Sequence, residues 1–275
     1  MIYVVNVSGG LTSFEALRRT IERYGQANTR AVFADTLIED ADLYRFLDDQ
    51  ERLFGIKIER LADGRTPWQV MKDRRVITIG SMAPCSQELK RAIIDRHIDP
   101  WRHELELPIT RVFGMSWDEF DRMERLTSML APEPVWFPLA EPPFVDKCHI
   151  AAYLERFGIK PPRLYNLGFS HNNCGGGCVK AGQAHWAHLW RTLPEQYALW
   201  EAKEEEIRTY LGKDVSILKD RRGGETKPLT LRAFREQIER GERYDKTEWG
   251  GCGCFAPVQQ ERMDALLLEA DIRRA

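Results

Sequence analysis

Six cysteines and one short glycine turn carry the chemistry legible in this chain. The cysteines are Cys85, Cys148, Cys174, Cys178, Cys252 and Cys254. His171-Asn172-Asn173-Cys174-Gly175-Gly176-Gly177-Cys178 is a C-x3-C loop with three glycines inside it, and Trp249-Gly250-Gly251-Cys252-Gly253-Cys254 repeats the style as C-x-C. Glycine lets the backbone turn so that sulfurs and N–H groups face one centre. A chain of 275 residues does not need disulfide staples to fold, so clustered cysteines point to metal binding or redox chemistry. The glycine turn is Ser8-Gly9-Gly10-Leu11-Thr12-Ser13, directly after the apolar run Ile2-Tyr3-Val4-Val5-Asn6-Val7. A strand, a glycine turn and a helix start make an anion site. Backbone N–H groups face inward, and the helix N-terminus adds about half a positive charge. Ser8, Thr12 and Ser13 add hydroxyl donors. The loop has neither G-x-G-x-x-G nor G-x-x-x-x-G-K-[ST] and no lysine. A pyrophosphate suits it better than transfer of a γ-phosphate.

These residues need elements to position them. The first 140 residues alternate strand and helix. Strands are expected at Ile2–Val7, Arg30–Ala34, Ile56–Leu61, Ile109–Met115 and Val135–Phe137. Helices are expected at Leu11–Tyr24, Ile38–Phe54, Ser86–His97 and Ser116–Met129, with residues 62–85 irregular. The pattern argues an α/β fold, a doubly wound parallel sheet with helices on both faces. Ligands of such sheets sit beyond the carboxyl ends of the strands. The Ser8–Ser13 loop and the Ala34-Asp35-Thr36 step both fall there.

After residue 140 the character changes to a helical, cysteine-bearing region. A helix is expected at Val145–Phe157, the glycine loop at Gly168–Gly177, and a long helical region from there to Leu211. The charged stretch Asp214–Lys227 reads as a loop or hairpin. Leu229–Arg240 reads as a helix, Trp249–Phe255 as the second cysteine loop, and Val258–Ile272 as a closing helix. The division is thus 1–140, a nucleotide-binding core, and 141–275, the helical region. Trp186, Trp190 and Trp200 read as packing residues, as do His185 and His188. Cys148 reads as core, and the run Glu201–Arg208 as a solvated helix face.

Composition narrows the class. Apolar residues make up 43% and charged residues 30%, and the formal net charge is -2, so no global basic field recruits nucleic acid. No apolar stretch approaches the ~18–20 residues of a membrane span. The first residues lack the charged segment of a signal peptide, so a cytoplasmic protein is expected.

The segments together resemble the phosphoadenosine phosphosulfate (PAPS) reductase-like family of the adenine nucleotide alpha-hydrolase-like superfamily, iron–sulfur type. Ser8–Ser13 is similar to the family's SGGxDS pyrophosphate loop. Phe33-Ala34-Asp35-Thr36 resembles its second-strand end beside the adenosine. Ala83-Pro84-Cys85-Ser86-Gln87-Glu88-Leu89-Lys90 resembles its cysteine segment before the third crossover helix. Phe113-Gly114-Met115-Ser116, with Glu119 and Arg122 downstream, resembles its fourth-strand motif. Leu164-Tyr165-Asn166-Leu167-Gly168-Phe169, leading to Cys174, resembles its late cysteine segment. The likeness covers residues 1–182. It departs at Thr12, where the family carries an aspartate, and at Ser86, where its doubled cysteine becomes single.

The resemblance implies ATP at Ser8, Gly9, Gly10, Thr12, Ser13, Asp35 and Thr36, with Mg²⁺ an open addition. It implies one [4Fe-4S] cluster on Cys85, Cys174 and Cys178, the fourth iron taking Cys254 or Cys252 or staying open. A structural Zn²⁺ site is the competing reading of the cysteines, with His171 as a possible ligand. Lys180, just after Cys178, is the basic residue expected near an anionic ligand, and Cys252 or Cys254 is a candidate carrier of sulfur, with Lys180 and Cys252 the expected catalytic residues. The implied activity is ATP-dependent thiolation. A substrate oxygen is adenylated, and sulfide then displaces AMP. The expected partners are ATP, a sulfur donor and a nucleobase or nucleic acid substrate, with no membrane and a homodimer left open. The alternatives are a reductase of adenylyl sulfate or PAPS that releases sulfite, and a non-catalytic nucleotide- or zinc-binding protein.

Overall fold

The computed structural model describes residues 1–78, 83–104 and 108–250. The chain runs β1 (Ile2–Val7), α1 (Leu11–Tyr24), β2 (Thr29–Asp35), α2 (Ala41–Phe54), β3 (Ile58–Ala62) and α3 (Pro67–Asp73). It continues with α4 (Pro84–Ser86), a π-helical stretch Gln87–Ala92, α5 (Ile93–Glu104), β4 (Ile109–Phe113), α6 (Phe120–Leu130) and β5 (Val135–Trp136). The strands form one parallel sheet in the order β3-β2-β1-β4-β5. Val5 of β1 is paired with Ala31 of β2 on one side and with Val112 of β4 on the other. The order reverses at β1, so the crevice beyond the ends of β1 and β4 is the switch point where such sheets take ligands.

Alternation along β1 supplies both faces. Ile2 and Val4 pack with Val32, Ile93, Ile94 and Ile98, which sets α5 on one side. Val5 and Val7 pack with Phe14, Leu17, Phe46 and Leu47, which sets α1 and α2 on the other. Side chains of this size contribute ~1.5–3 kcal/mol each on full burial. The expected doubly wound α/β architecture is therefore present.

The later residues form α7 (Lys147–Glu155), α8 (Arg163–Asn166), α9 (Gln183–Thr192), α10 (Pro194–Leu211), the antiparallel pair β6 (Leu218–Asp220) and β7 (Lys227–Leu229), and α11 (Leu231–Glu239). Ile150 and Leu154 of α7 join the α1–α2 face. Trp186, Tyr197, Trp200, Ile207 and Phe234 build a separate cluster that also takes in Met71, Ile77 and Ala83.

Several expectations shift. α2 starts at Ala41, because the Asp40 carboxylate accepts from the Asp42 N–H at 2.9 Å and caps it. Residues 62–85 contain α3, opened by Thr66 and Gln69 bonding each other's backbone around Pro67. The long helical region is two helices, since Pro194 occupies the first turn of α10. Cys148 is exposed rather than core, because Ile150 and Leu154 set the buried face of α7. Glu204, inside the charged run, is buried. Its carboxylate accepts from the N–H groups of Ile217 at 2.7 Å and Leu231 at 2.6 Å, joining α10 to the residue before β6 and to the start of α11.

Candidate functional site

The glycine turn is held in shape before any ligand arrives. The Ser13 hydroxyl donates to the Gly10 carbonyl at 2.9 Å and accepts from the Ser8 N–H at 3.1 Å. Gly9 has φ +73°, and an added Cβ would stand 2.6 Å from Leu43 Cγ. The Leu11 N–H donates to the Tyr165 hydroxyl at 3.3 Å. Gly114, just after β4, lies so close that its Cβ would be 2.5 Å from the Thr12 carbonyl oxygen.

Ser8 and Ser13 open into a cleft of about 480 Å³ at the switch point. Its floor is Asn6, Val7, Phe33, Ala34 and Phe113. Its walls come from Ala83, Ser86 and the π-helical stretch on one side and from α6 on the other. Six cations line it: Lys90, Arg91, Arg111, Arg122, Arg125 and Lys180. No carboxylate does, among the described residues. A cleft lined by cations concentrates anions well beyond what a net charge of -2 suggests. Arg111 is 2% exposed and bonds Asp95 at 2.8 Å and the Asn6 side-chain oxygen at 3.0 Å. Its Nε has no partner among the described residues. Arg122 pairs with Glu119 at 2.6 Å. The π-helical stretch, a rare form that recurs at functional sites, turns Gln87, Lys90 and Arg91 toward the cleft.

The C-x3-C loop is fastened to the anion loop. Asn172 Nδ2 donates to the Gly9 carbonyl at 2.9 Å, in a buried contact spanning 163 residues of sequence. Cys174 and Gly175 have φ +55° and +59°, which turns the chain sharply there. The Cys174 N–H donates to Glu39, whose carboxylate also accepts from the Thr36 hydroxyl at 2.8 Å and lies 3.6 Å from Lys90. Cys85 is half-buried and Cys178 buried, both in the tryptophan-rich cluster, and Cys174 is half-buried. Lys180 is exposed and borders the cleft with Ala83 and Ser86, the neighbours of Cys85. The segment Glu248–Gly250 lies alongside: the Gly182 N–H donates to the Trp249 carbonyl at 2.8 Å, and Gly250 is bridged to Ala181. Cys252 and Cys254 lie outside the described residues. Among the described residues, no three His, Cys, Asp or Glu side chains gather as a metal would require.

Three histidines pack behind the loop. His185 Nε2 meets the Gly176 carbonyl at 2.6 Å and His188 Nε2 the Leu167 carbonyl at 2.7 Å. Burial lowers both to about 4, so the rings are neutral and the Nε2 hydrogens donate. Burial, with His185, Lys147 and Lys90 adding to it, drives His171 well below the ordinary histidine range.

The predicted residues thus divide. Ser8, Gly9, Gly10, Thr12 and Ser13 form the turn, and Ser8, Ser13 and Lys180 reach the cleft. Asp35 and Thr36 stand at the carboxyl end of β2 but are not among its lining residues. Asp35 accepts from the Leu37 N–H at 2.8 Å and the Tyr44 hydroxyl at 2.9 Å, so it shapes the β2–α2 turn. Sequence reasoning missed Arg111, Arg125 and Asn6 as cleft residues. A polar pair inside two otherwise apolar strands is the signal that could have found Asn6 and Arg111.

No protein-family model matches the chain, and no curated protein does. Among solved structures, the chain is similar to the phosphoadenylyl-sulfate (PAPS) reductase from Candida auris in its phosphate complex. The TM-score is 0.39 at 14% identity, over 62% of this chain and 79% of that one.

Proposed function

We propose that this chain is an ATP-dependent sulfurtransferase that adenylates and then thiolates a substrate, a nucleobase or nucleic acid. The observation that carries the reading is the Asn172–Gly9 bond, which sets the cysteine loop directly against the anion loop. The cationic cleft beside them is suited to a nucleotide.

In this reading the Ser8–Ser13 turn seats the β- and γ-phosphates of ATP. A substrate oxygen attacks the α-phosphorus, and the bond to the bridging oxygen breaks. Pyrophosphate leaves with that electron pair and stays held by the turn's N–H and hydroxyl donors. Lys90, Arg111 and Arg122 border the cleft where charge develops on the transferred group. Sulfide from a donor then attacks the substrate carbon, the carbon–oxygen bond breaks, and AMP leaves with the pair. Lys180, at the cleft edge, is placed to steady that anion.

An iron–sulfur cluster on the cysteines would supply a seat for sulfide, but Cys85, Cys174 and Cys178 do not gather as its ligands would need to, and Cys252 and Cys254 lie outside the described residues, so no step is routed through it. His171 Nε2 and Trp200 Nε1 are buried and have no hydrogen-bond partner among the described residues. Mg²⁺ would accompany ATP without Thr12 offering it a carboxylate. Anaerobic incubation with ATP, sulfide and a panel of nucleobases and short oligonucleotides should release AMP and pyrophosphate and yield a thiolated product. No AMP from any of them refutes the reading. Anaerobically purified protein should be brown, with absorbance near ~400 nm that is lost in Cys174→Ser. A colourless protein with one bound zinc refutes the cluster.

A second reading has one observation in its favour. Six cations exceed what one pyrophosphate calls for, and the extra charge suits a nucleotide with a further phosphate, as in a PAPS reductase. Sulfite release from PAPS with a dithiol reductant would decide for it.

A further inference from the structure

One buried carboxylate has no part in the proposed reaction. Glu39 stands in the turn between β2 and α2, and its side chain is 0% exposed. Burying a charge is costly unless it is paired and hydrogen-bonded. Glu39 is both. One carboxylate oxygen accepts from the Thr36 hydroxyl at 2.8 Å and lies 3.6 Å from Lys90 Nζ. The other accepts from the Cys174 N–H. The β2–α2 turn, the π-helical stretch and the C-x3-C loop thus meet at this one group. Lys90 lines the cleft, whereas Glu39 stands behind it and is not among the lining residues.

The backbone on both sides of this group is bent at a cost. Among the described residues, Leu37, Arg75 and Cys174 are the non-glycine residues with positive φ. Leu37, at +63°, lies two residues before Glu39, and Cys174, at +55°, donates to it. Side chains other than glycine disfavour this region, and such residues persist where their surroundings over-determine them. The turn and the loop also press together, since a Cβ on Gly175 would stand 3.0 Å from the Ile38 carbonyl oxygen. Glu39 is therefore fixed, and a fixed carboxylate steadies the ammonium beside it. A lysine side chain is long and flexible, and immobilising it when an anion binds weakens affinity. Holding it beforehand avoids that loss.

We propose that Glu39 is a positioning residue for the anion cleft, holding the Lys90 ammonium at the cleft wall before an anion arrives. This rests on the reading of the cleft and the Ser8–Ser13 turn as an anion seat. Glu39 acts through Lys90 alone. Its own charge opposes an anion, so its two effects have opposite signs. Removing the charge by itself tightens anion binding, and losing the hold on Lys90 weakens it. Here the hold outweighs the charge.

Glu39→Gln keeps the size of the side chain and an acceptor for the Cys174 N–H, and removes the ion pair. Calorimetric titration of the full chain with inorganic pyrophosphate should show a Kd weaker by about three- to tenfold, the range set by one immobilised side chain. Tighter or unchanged binding by a folded Glu39→Gln overturns the inference. Lys90→Met should also weaken binding, and adding Glu39→Gln to it should bring no further loss. A further loss of the same size overturns the inference, because Glu39 then acts through the fold at large. Failure of the unaltered chain to bind pyrophosphate overturns the anion-seat reading beneath it. If Glu39→Gln does not fold, ¹³C-lysine relaxation of the unaltered chain decides, with the Lys90 signal assigned by its absence in Lys90→Met. A Lys90 side chain ordered before pyrophosphate is added supports the hold, and one that orders only on binding overturns it.

Discussion

Gly114→Ala probes the anion loop without changing any of the loop's own residues. A Cβ at that position would stand 2.5 Å from the Thr12 carbonyl oxygen, 2.6 Å from its carbon and 2.7 Å from the Ser13 nitrogen. Carbon contacts settle near ~3.5 Å, so the end of β4 and the first turn of α1 must part by about 1 Å. All three atoms are backbone, so no rotamer change relieves the clash. Overpacking of this kind costs about 1–3 kcal/mol, which in a chain of this size lowers the Tm by roughly 2–4 °C per kcal/mol. The displaced N–H groups are those of the helix start that seats the anion. Hydrogen bonds weaken steeply with such displacement, and a loss of about 1.4 kcal/mol corresponds to tenfold in Kd. Calorimetric titration with inorganic pyrophosphate should therefore show at least a tenfold weaker Kd, alongside a modest fall in the melting midpoint by circular dichroism. A folded Gly114→Ala that binds pyrophosphate like the native chain would refute the assignment of the Ser8–Ser13 turn as the anion seat.

Three further outcomes follow from the described contacts. Asn172→Ala leaves the Gly9 carbonyl without its buried donor and should cost ~1–3 kcal/mol in urea unfolding, with weaker pyrophosphate binding as well. Burial raises Glu204 from 4.5 to about 7. Its protonated form is favoured in the folded state, so stability falls by roughly 3 kcal/mol as pH rises from 4.5 through 7. Glu204→Gln should lack that decline, and parallel unfolding curves at pH 5 and 8 for both chains check it. His185 and His188 behave oppositely, since burial lowers each from 6.5 to about 4. Their contribution is present above pH 6.5 and lost as pH falls toward 4, so His185→Gln should flatten the acid limb, read by thermal melts from pH 7 to 4.

Local pattern made the sheet readable. The apolar runs of β1, β2 and β4 and the glycine turn after β1 stand within one or two residues of where they were expected. Short-range chemistry could have yielded more: Thr66-Pro67-Trp68-Gln69 is a helix-start signature within a stretch read as irregular. What stayed hidden depends on distant partners. Arg125 sits on an amphipathic helix where a solvent-facing arginine looks the same as one lining a cleft. Residue types do not distinguish a π-helical stretch from an α-helical one at Gln87–Ala92. Cys148 read as core because the turn that faces inward on a short helix is chosen by its neighbours, here Ile150 and Leu154. Glu204 read as solvated because its two backbone donors come from residues 13 and 27 positions away. The C-x3-C loop was legible as a motif, but not that Asn172 ties it to Gly9.

That tie has an electronic side. The carbonyl of Gly9 and the N–H of Gly10 belong to one peptide unit. A carbonyl that accepts a hydrogen bond draws charge through the unit and makes the N–H at its other end a better donor, by ~10–30% in condensed-phase estimates. Asn172 therefore polarises the peptide at the centre of the anion turn. Whatever pulls on the cysteine loop, a bound group or a change in its charge, adjusts how strongly the turn donates to a phosphate. A bound phosphate in turn strengthens the hold on Asn172, so each loop carries a record of what the other has bound.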